Sequence, residues 1–353
     1  MTGPLRVVLA AGGTGGHLFP AEALANVLIA RGAEVDLVSD DRAAAFAASF
    51  PAKLHVVKAG TVTGSGLVAK IRGALALLGG TRQALGLMSR LRPDVVVGFG
   101  GYPTVPPVYA ATIRGIPTII HEANGVMGRA NRLLSSRVTR IATGVPLKDL
   151  RFPDKTVVTG SPVRPPVLAA AEVPFASPAQ GGRLGLMVFG GSQGARVMGE
   201  VVPPALAMLP ELLRGRIDLV QQVRSEDLDK VANAYRLMGV TADLAPFFKD
   251  LPARMAGAHL VISRSGASTV AELAVIGRPS ILVPLPGSID QDQATNARQL
   301  AEAGAALVCP QADFTPEWLA GEIARMMAEP RALADMAARA RALAAGGRPD
   351  VRS

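Results

Sequence analysis

Two segments of this chain repeat one pattern, and the repetition narrows the folds open to it more than any other feature. Residues 5–11 (LRVVLAA) are an unbroken apolar run leading into Gly12-Gly13-Thr14-Gly15-Gly16-His17 and then into AEALANVLIARG, which has helical spacing. Residues 184–189 (LGLMVF) lead likewise into Gly190-Gly191-Ser192-Gln193-Gly194 and a helical stretch, about half of the chain later. An apolar run without alternation suits a strand covered on both faces, as in parallel sheets. VDLV at 35–38 follows the first unit and IDLV at 217–220 follows the second. The pattern predicts two similar α/β domains, in keeping with about 150 residues per domain for a chain of 353 residues.

Further strand-like runs lie at 95–100 (VVVGFG), 117–123 (PTIIHEA), 139–144 (TRIATG) and 155–160 (KTVVTG), then at 259–266 (HLVISRSG), 279–285 (PSILVPL) and 305–310 (AALVCP). Helical stretches separate most of them. Such alternation builds parallel sheets with helices on both faces, whose ligands lie beyond the C-terminal strand ends. Six prolines between 151 and 182 place the interdomain connection there, and a cleft between the domains is the expected site.

Composition removes several classes. With 49% hydrophobic and 18% charged residues the chain is too apolar to stay disordered. The single Cys309 cannot form an internal disulfide, and four His give no Cys/His cluster at metal-ligand spacing. The first apolar run enters a glycine loop directly, unlike a signal peptide, and no apolar stretch reaches the ~18 residues of a membrane span. The expected location is therefore the cytoplasm or the cytoplasmic side of a membrane.

The net charge of +9 sits in one half. Residues 1–160 carry 18 Lys+Arg against 9 Asp+Glu, the remainder 19 against 19, and residues 42–93 hold eight basic side chains and no acid. Such a surface suits nucleic acid, an anionic membrane or an anionic substrate. Aromatics at 4% offer no base-stacking platform, and no zinc or RNP motif is present, which argues against nucleic acid.

A glycine turn after a strand lets the backbone approach a ligand, and the next helix N-terminus aims N–H groups and partial positive charge at an anion. The same turn can serve tight packing alone. Neither loop fits the dinucleotide fingerprint, since Leu18 stands where its third glycine belongs, and no P-loop occurs.

Taken together, GGTGGH (12–17), GFGGY (98–102), HEAN (121–124), GSPVR (160–164), FGGSQGA (189–195), SRSGASTVAE (263–272) and DQATNA (292–297) closely resemble the MurG family of bacterial cell-wall glycosyltransferases. The resemblance runs in the family's order from residue 7 to about 345 and is specific as a set. It implies the GT-B fold, two Rossmann-like parallel-sheet domains facing across a cleft. It implies an N-terminal acceptor- and membrane-side domain at 1–163, which the C-terminal helix 331–353 could join, a linker at 164–182, and a UDP-sugar-binding domain at 183–330. The implied reaction is an inverting transfer of N-acetylglucosamine from UDP-N-acetylglucosamine to the muramyl C4 hydroxyl of a polyprenyl-diphosphate-linked muramyl pentapeptide. The implied place is the cytoplasmic face of the inner membrane, as a peripheral protein. A UDP-N-acetylglucosamine 2-epimerase, another UDP-sugar transferase of this fold, or a non-catalytic UDP-sugar-binding protein remain alternatives.

Inversion needs a base near the acceptor hydroxyl and positive electrostatics at the leaving diphosphate. The resemblance marks His17 as the base or acceptor-positioning group; an imidazole that orients the loop or donates to phosphate is the alternative. For donor binding it marks Thr14, Gly15, Gly16, Asn124, Arg164, Ser192, Phe248, the run Ala267, Ser268, Thr269, Val270, Ala271 and Glu272, and Gln293. Arg164, among prolines, would hold phosphate with Ser192, and the backbone at Phe248 would pair with the uracil edge. Glu272 would accept from both ribose hydroxyls, whereas Thr269-Val270-Ala271-Glu272 also reads as a helix capping box. Asn124 and Gln293 have amides suited to sugar hydroxyls, and turn or helix-surface roles remain open to them. Tyr102, His121 and Glu122 are placed at the cleft on the acceptor side. Asp290-Gln291-Asp292 spells D-x-D but precedes a helix, where acids suit the dipole; no metal site and no obligatory cofactor are expected.

Residues 64–92 set Leu67, Val68, Ile71, Leu75 and Leu78 at near-helical spacing among Lys70, Arg72 and Arg82. That stripe reads either as a buried helix with a basic edge or as one lying in an anionic membrane interface. A substrate whose polyprenyl tail stays in the bilayer favours the membrane.

Overall fold

The computed structural model describes residues 3–43, 50–58, 67–191, 194–288 and 292–346, with only the backbone described at 67–72, 74, 345 and 346. The chain divides after Arg164 into two units. Strands β1 (Arg6–Ala10), β2 (Glu34–Ser39), β3 (Lys53–Val56), β4 (Val95–Gly98), β5 (Thr118–Glu122), β6 (Arg140–Thr143) and β7 (Thr156–Val158) form the first sheet, ordered β3-β2-β1-β4-β5-β6-β7. Every pair is parallel, with Val7 opposite Val35 on one side and Val95 on the other. Its helices are α1 (Gly15–Ala30), α2 (Leu67–Leu91), α3 (Val105–Ile113) and α4 (Arg129–Leu134).

The apolar run in β1 is needed because both of its faces are covered. Val7 and Leu9 pack with Leu18, Ala21 and Ala25 of α1, while Val8 and Ala10 pack with Ala84, Leu87 and Met88 of α2 and Val108 of α3. Truncating a side chain such as Leu9 would cost about 2–5 kcal/mol.

In the second unit β8 (Leu184–Phe189), β9 (Ile217–Gln222), β10 (Ala242–Ala245), β11 (Leu260–Ser263), β12 (Ser280–Leu282) and β13 (Ala306–Val308) form a parallel sheet ordered β10-β9-β8-β11-β12-β13. Apart from β7, the first sheet has the same strand order, so the sequence repeat is a repeat of topology. Both sheets reverse their winding beside the repeated strand, between β1 and β4 and between β8 and β11. Ligands of such sheets bind at that switch point. The helices here are α5 (Pro165–Ala171), α6 (Arg196–Met208), α7 (Glu211–Arg214), α8 (Leu228–Leu237), α9 (Leu251–Gly257), α10 (Ala267–Ile276), α11 (Asp292–Glu302), α12 (Pro316–Ala328) and α13 (Pro330–Gly346).

The segment expected as linker contains α5, which packs on α9 and α10. The C-terminal helix, which the sequence reading allowed to join the first domain, packs as α13 on α10 of the second unit. Its Arg341 Nη2 donates to the Ala171 carbonyl at the end of α5. Strands β3 (KLHV) and β10 (ADLA) escape the sequence reading. Each is a short edge strand paired on one side only, so neither needs the continuous apolar run that marks the others.

Candidate functional site

At the first switch point the glycine loop after β1 interlocks with the glycine loop after β4. Gly12 N–H donates to the Gly100 carbonyl at 3.0 Å, and Thr104 Oγ1 donates to the carbonyls of Gly100 (2.6 Å) and Ala10 (3.2 Å). Gly100 and Gly101 have φ of +90° and +79°, and a Cβ on Gly101 would stand 2.9 Å from Gly12 Cα. Glycine is thus required twice over, by conformation and by proximity. Gly13 is walled in by Asp40 and Arg42, which form an ion pair of 2.6 Å.

The helix α1 begins at Gly15, leaving Thr14 and Gly16 exposed and Gly15 buried. His17 stands half-buried in its first turn, with Nδ1 3.0 Å from Thr14 Oγ1 and its ring against Gly100 and Gly101. Burial pushes the imidazole below its usual pKa, opposed by the charge of Glu122 and reinforced by Arg42. It is therefore neutral near pH 7 and able to accept a proton. Two residues on, the Phe19 ring carries the Arg164 guanidinium 3.8 Å from its centroid. The stack brings two expected site residues to the start of one helix. Tyr102, half-buried, opens the single turn Tyr102–Thr104 after Gly101.

His121 and Glu122 were expected to face the open site, but both are buried, His121 under Phe99 and the 160 segment and Glu122 within the loop that follows β5. His121 lies against Phe99 and its Nε2 is 3.2 Å from the Gly160 carbonyl, so that nitrogen carries the hydrogen and donates. Burial drives its pKa down to about 4. Glu122 is an organising acceptor: Oε1 takes Asn124 N (3.1 Å) and Nδ2 (2.9 Å), while Oε2 takes Gly128 N (2.8 Å) and Asn131 Nδ2 (2.9 Å). Asn124 is held half-buried by this grip.

In the second unit Gly190 and Gly191 follow β8, and Ser192 lies outside the described residues, as do Asp290 and Gln291. Gly191 has φ +91° and its carbonyl accepts from Gly194 N at 3.0 Å. On the neighbouring strand Gln222 grips this loop and the segment before Phe248: Oε1 accepts from Gly190 N (3.0 Å), and Nε2 donates to the carbonyls of Gly191 (3.0 Å) and Pro246 (3.1 Å). Phe248 has a buried side chain, with the Arg254 guanidinium 4.3 Å from its ring centroid.

On the other side of β8, β11 runs through Arg264 and Ser265 into α10, whose N-cap is Gly266. Ala267, Ser268 and Thr269 form a half-exposed first turn, Val270 is buried, Ala271 is half-buried and Glu272 is 7% exposed. The capping-box alternative for Glu272 is overturned: Thr269 lies inside the helix, so no cap N–H stands three residues before the glutamate. Ser265 Oγ donates to the Gln293 carbonyl (2.8 Å), and Gln293 Oε1 accepts from Leu285 N (3.0 Å), which sets Gln293 beside the start of α10. Asp292 begins α11 and accepts from Gln293 N at 2.7 Å. Arg264, its pKa lowered by burial, ties Val283, Pro284 and Gln311 together.

The sequence reading missed Gln222, Arg264, Ser265 and Asn131. The available signal was polarity where a parallel strand or its end should be apolar, as in the QQ that finishes β9. Among the described residues no group of three or more His, Cys, Asp or Glu could hold a metal ion.

Comparison with known proteins matches residues 7–143 to the glycosyltransferase family 28 N-terminal domain and residues 185–348 to the family's C-terminal domain. A UDP-N-acetylglucosamine--N-acetylmuramyl-(pentapeptide) pyrophosphoryl-undecaprenol N-acetylglucosamine transferase of Rhodopseudomonas palustris (strain HaA2) is 57% identical over 339 residues, 95% of this chain and 93% of the relative. A protein of the same name from Nitrobacter hamburgensis is 54% identical over 344 residues, 96% and 93% of the two chains. The crystal structure of Acinetobacter baumannii MurG matches with a TM-score of 0.78 at 30% identity, over 98% of this chain and 96% of that one.

Proposed function

Since the chain belongs to glycosyltransferase family 28, we propose that its two units share the transfer of N-acetylglucosamine, the second holding most of the donor and the first supplying the base and the acceptor side. The chain is an N-acetylglucosaminyltransferase of peptidoglycan synthesis, using UDP-N-acetylglucosamine and the polyprenyl-diphosphate-linked muramyl pentapeptide. The division rests above all on one observation: at the second switch point α10 has a half-exposed first turn with Gln293 beside its start, and carries the buried carboxylate of Glu272 further along.

In this reading the Glu272 carboxylate accepts from the two ribose hydroxyls, the backbone at Phe248 meets the uracil edge, and Gln293 and Asn124 turn amides to the sugar. Thr14, Gly15 and Gly16 offer their backbone to the donor at the α1 N-terminus. The muramyl C4 hydroxyl attacks the anomeric carbon from the face opposite the diphosphate. Its proton passes to the neutral His17 imidazole as the new C–O bond forms. The bond from the anomeric carbon to the diphosphate oxygen breaks, and UDP leaves with the electron pair. Arg164 and Ser192 meet the charge that grows on the diphosphate. Tyr102 lies on the acceptor side, while His121 and Glu122 act from within by shaping the loops. No obligatory metal or other cofactor is assigned, and turnover in excess EDTA is the expected result.

Membrane attachment belongs to the same reading. Leu75 and Leu78 of α2 are 62% and 67% exposed, which favours the interfacial alternative over a wholly buried helix, and Arg82 is exposed on the next turn. No described helix is long and apolar enough to cross a membrane. We place the protein on the cytoplasmic face of the inner membrane, with its basic half toward anionic lipid and no nucleic-acid partner.

The test is incubation with labelled UDP-N-acetylglucosamine and a short-chain lipid acceptor. Labelled disaccharide lipid and acceptor-dependent release of UDP are expected. UDP release or a changed hexosamine without acceptor would point to the epimerase alternative, and donor binding without turnover to a sensor.

A further inference from the structure

Gln222 ends β9 and is 6% exposed, so its amide has little water to bond. Three protein partners fill that need, and they come from two different segments. Its oxygen takes the Gly190 N–H, one N–H goes to the Gly191 carbonyl, and the other goes to the Pro246 carbonyl. Gripping both the N–H of residue 190 and the C=O of residue 191 holds a loop whose Gly191 has φ +91° and whose Gly190 has no space for a Cβ, which would stand 2.1 Å from Ala195 N. The third bond fixes the backbone two residues before Phe248. Only an amide carries one acceptor and two donors in this planar arrangement; glutamate lacks the donors, and methionine has no donor and only a weakly accepting sulfur.

We propose that Gln222 is a positioning residue of the donor site, coupling the diphosphate loop at Gly190–Gly191 to the uracil-facing segment at Pro246–Phe248. The inference rests on the donor reading given above. Through this side chain, ordering one segment orders the other, so a ligand with both a uracil and a diphosphate gains more than either part alone. Gln222 thereby favours an intact nucleoside diphosphate over uridine or pyrophosphate, without touching any of them.

The test is calorimetric titration of the full chain and of Gln222→Met with UDP, uridine and pyrophosphate, alongside steady-state kinetics. UDP affinity is expected to fall about thirtyfold in the variant, uridine and pyrophosphate by less than about threefold each, and donor KM to rise with kcat nearly kept. An equal loss for all three ligands, or unchanged UDP affinity, overturns the coupling. Should Gln222→Met fail to fold, hydrogen exchange on the natural chain decides. Uridine alone is expected to slow exchange at Gly190 and Gly191, and no slowing there overturns the proposal. A natural chain that does not bind UDP would instead refute the donor reading itself.

Discussion

The two glycine loops begin alike and end differently. Each follows the strand beside its sheet's switch point, yet α1 starts at Gly15 and puts His17 into its first turn, while α6 starts only at Arg196. The first loop is locked by another glycine loop and carries a half-buried imidazole whose pKa is held down by burial. The second is clasped by the neutral amide of Gln222, and its neighbour on β11 opens a helix that holds a buried carboxylate. A shared pattern supplies backbone N–H groups and close approach in both places; in the proposed division, the residues added after it separate the half that moves protons from the half that reads a nucleotide. Charge divides in the same way, with the +9 excess confined to residues 1–160.

The comparison breaks most readily at His17. Replacement by Ala should lower kcat by about 10²–10⁴-fold, the range of general-base contributions, with donor KM nearly constant. Because its pKa in the free protein lies below the ordinary histidine value, the acid limb of the natural enzyme's kcat/KM profile should fall below pH 6.5 and vanish in the variant. Near-normal turnover of His17→Ala at saturating acceptor would remove the imidazole from the chemistry.

A smaller effect concerns the folded state of the first unit. His121 has a folded pKa near 4 against an ordinary 6.5, so it contributes stability that is fully present above pH 6.5 and is lost as pH falls toward 4. The loss should reach about 3 kcal/mol, and denaturant unfolding of His121→Gln should show a flatter profile over that window. Glu122→Gln turns an amide N–H toward groups that already donate, and should cost about 2 kcal/mol at pH 7 in the same assay.

In the second unit, Glu272→Gln should raise donor KM about tenfold while changing kcat less than about threefold, the signature of lost uniform binding. An unchanged KM would leave Glu272 a structural role. The weakest effect lies at the membrane, where each basic side chain contributes about 1 kcal/mol, so Arg82→Gln should weaken binding to anionic vesicles about fivefold at low salt. Equal binding to neutral and anionic vesicles would contradict the electrostatic part.

What was legible in the sequence follows from burial. β1, β4, β8 and β11 are covered on both faces and announce themselves as apolar runs, and from them the doubled topology follows. Edge strands β3 and β10 need no such run and stayed unread. Thr269-Val270-Ala271-Glu272 spelled a capping box because a four-residue pattern does not reveal where its helix starts; the end of β11 decides that, placing the N-cap at Gly266. His121 and Glu122 were correctly set at a strand end, but the burial of His121 depends on Phe99 and Gly160, distant in sequence, and that of Glu122 on the fold of the loop that follows it. For Gln222 the polar end of β9 was a signal, but its role was not legible, since its three partners come from segments 24 to 32 residues away.

The central claim, that His17 serves the attacking acceptor hydroxyl while the second unit holds the nucleotide, is tested most directly by calorimetric titration of His17→Ala with UDP. The account predicts affinity within about threefold of the natural chain, since the imidazole is assigned to the attacking hydroxyl. A loss of about tenfold or more would place His17 on the diphosphate and contradict the division.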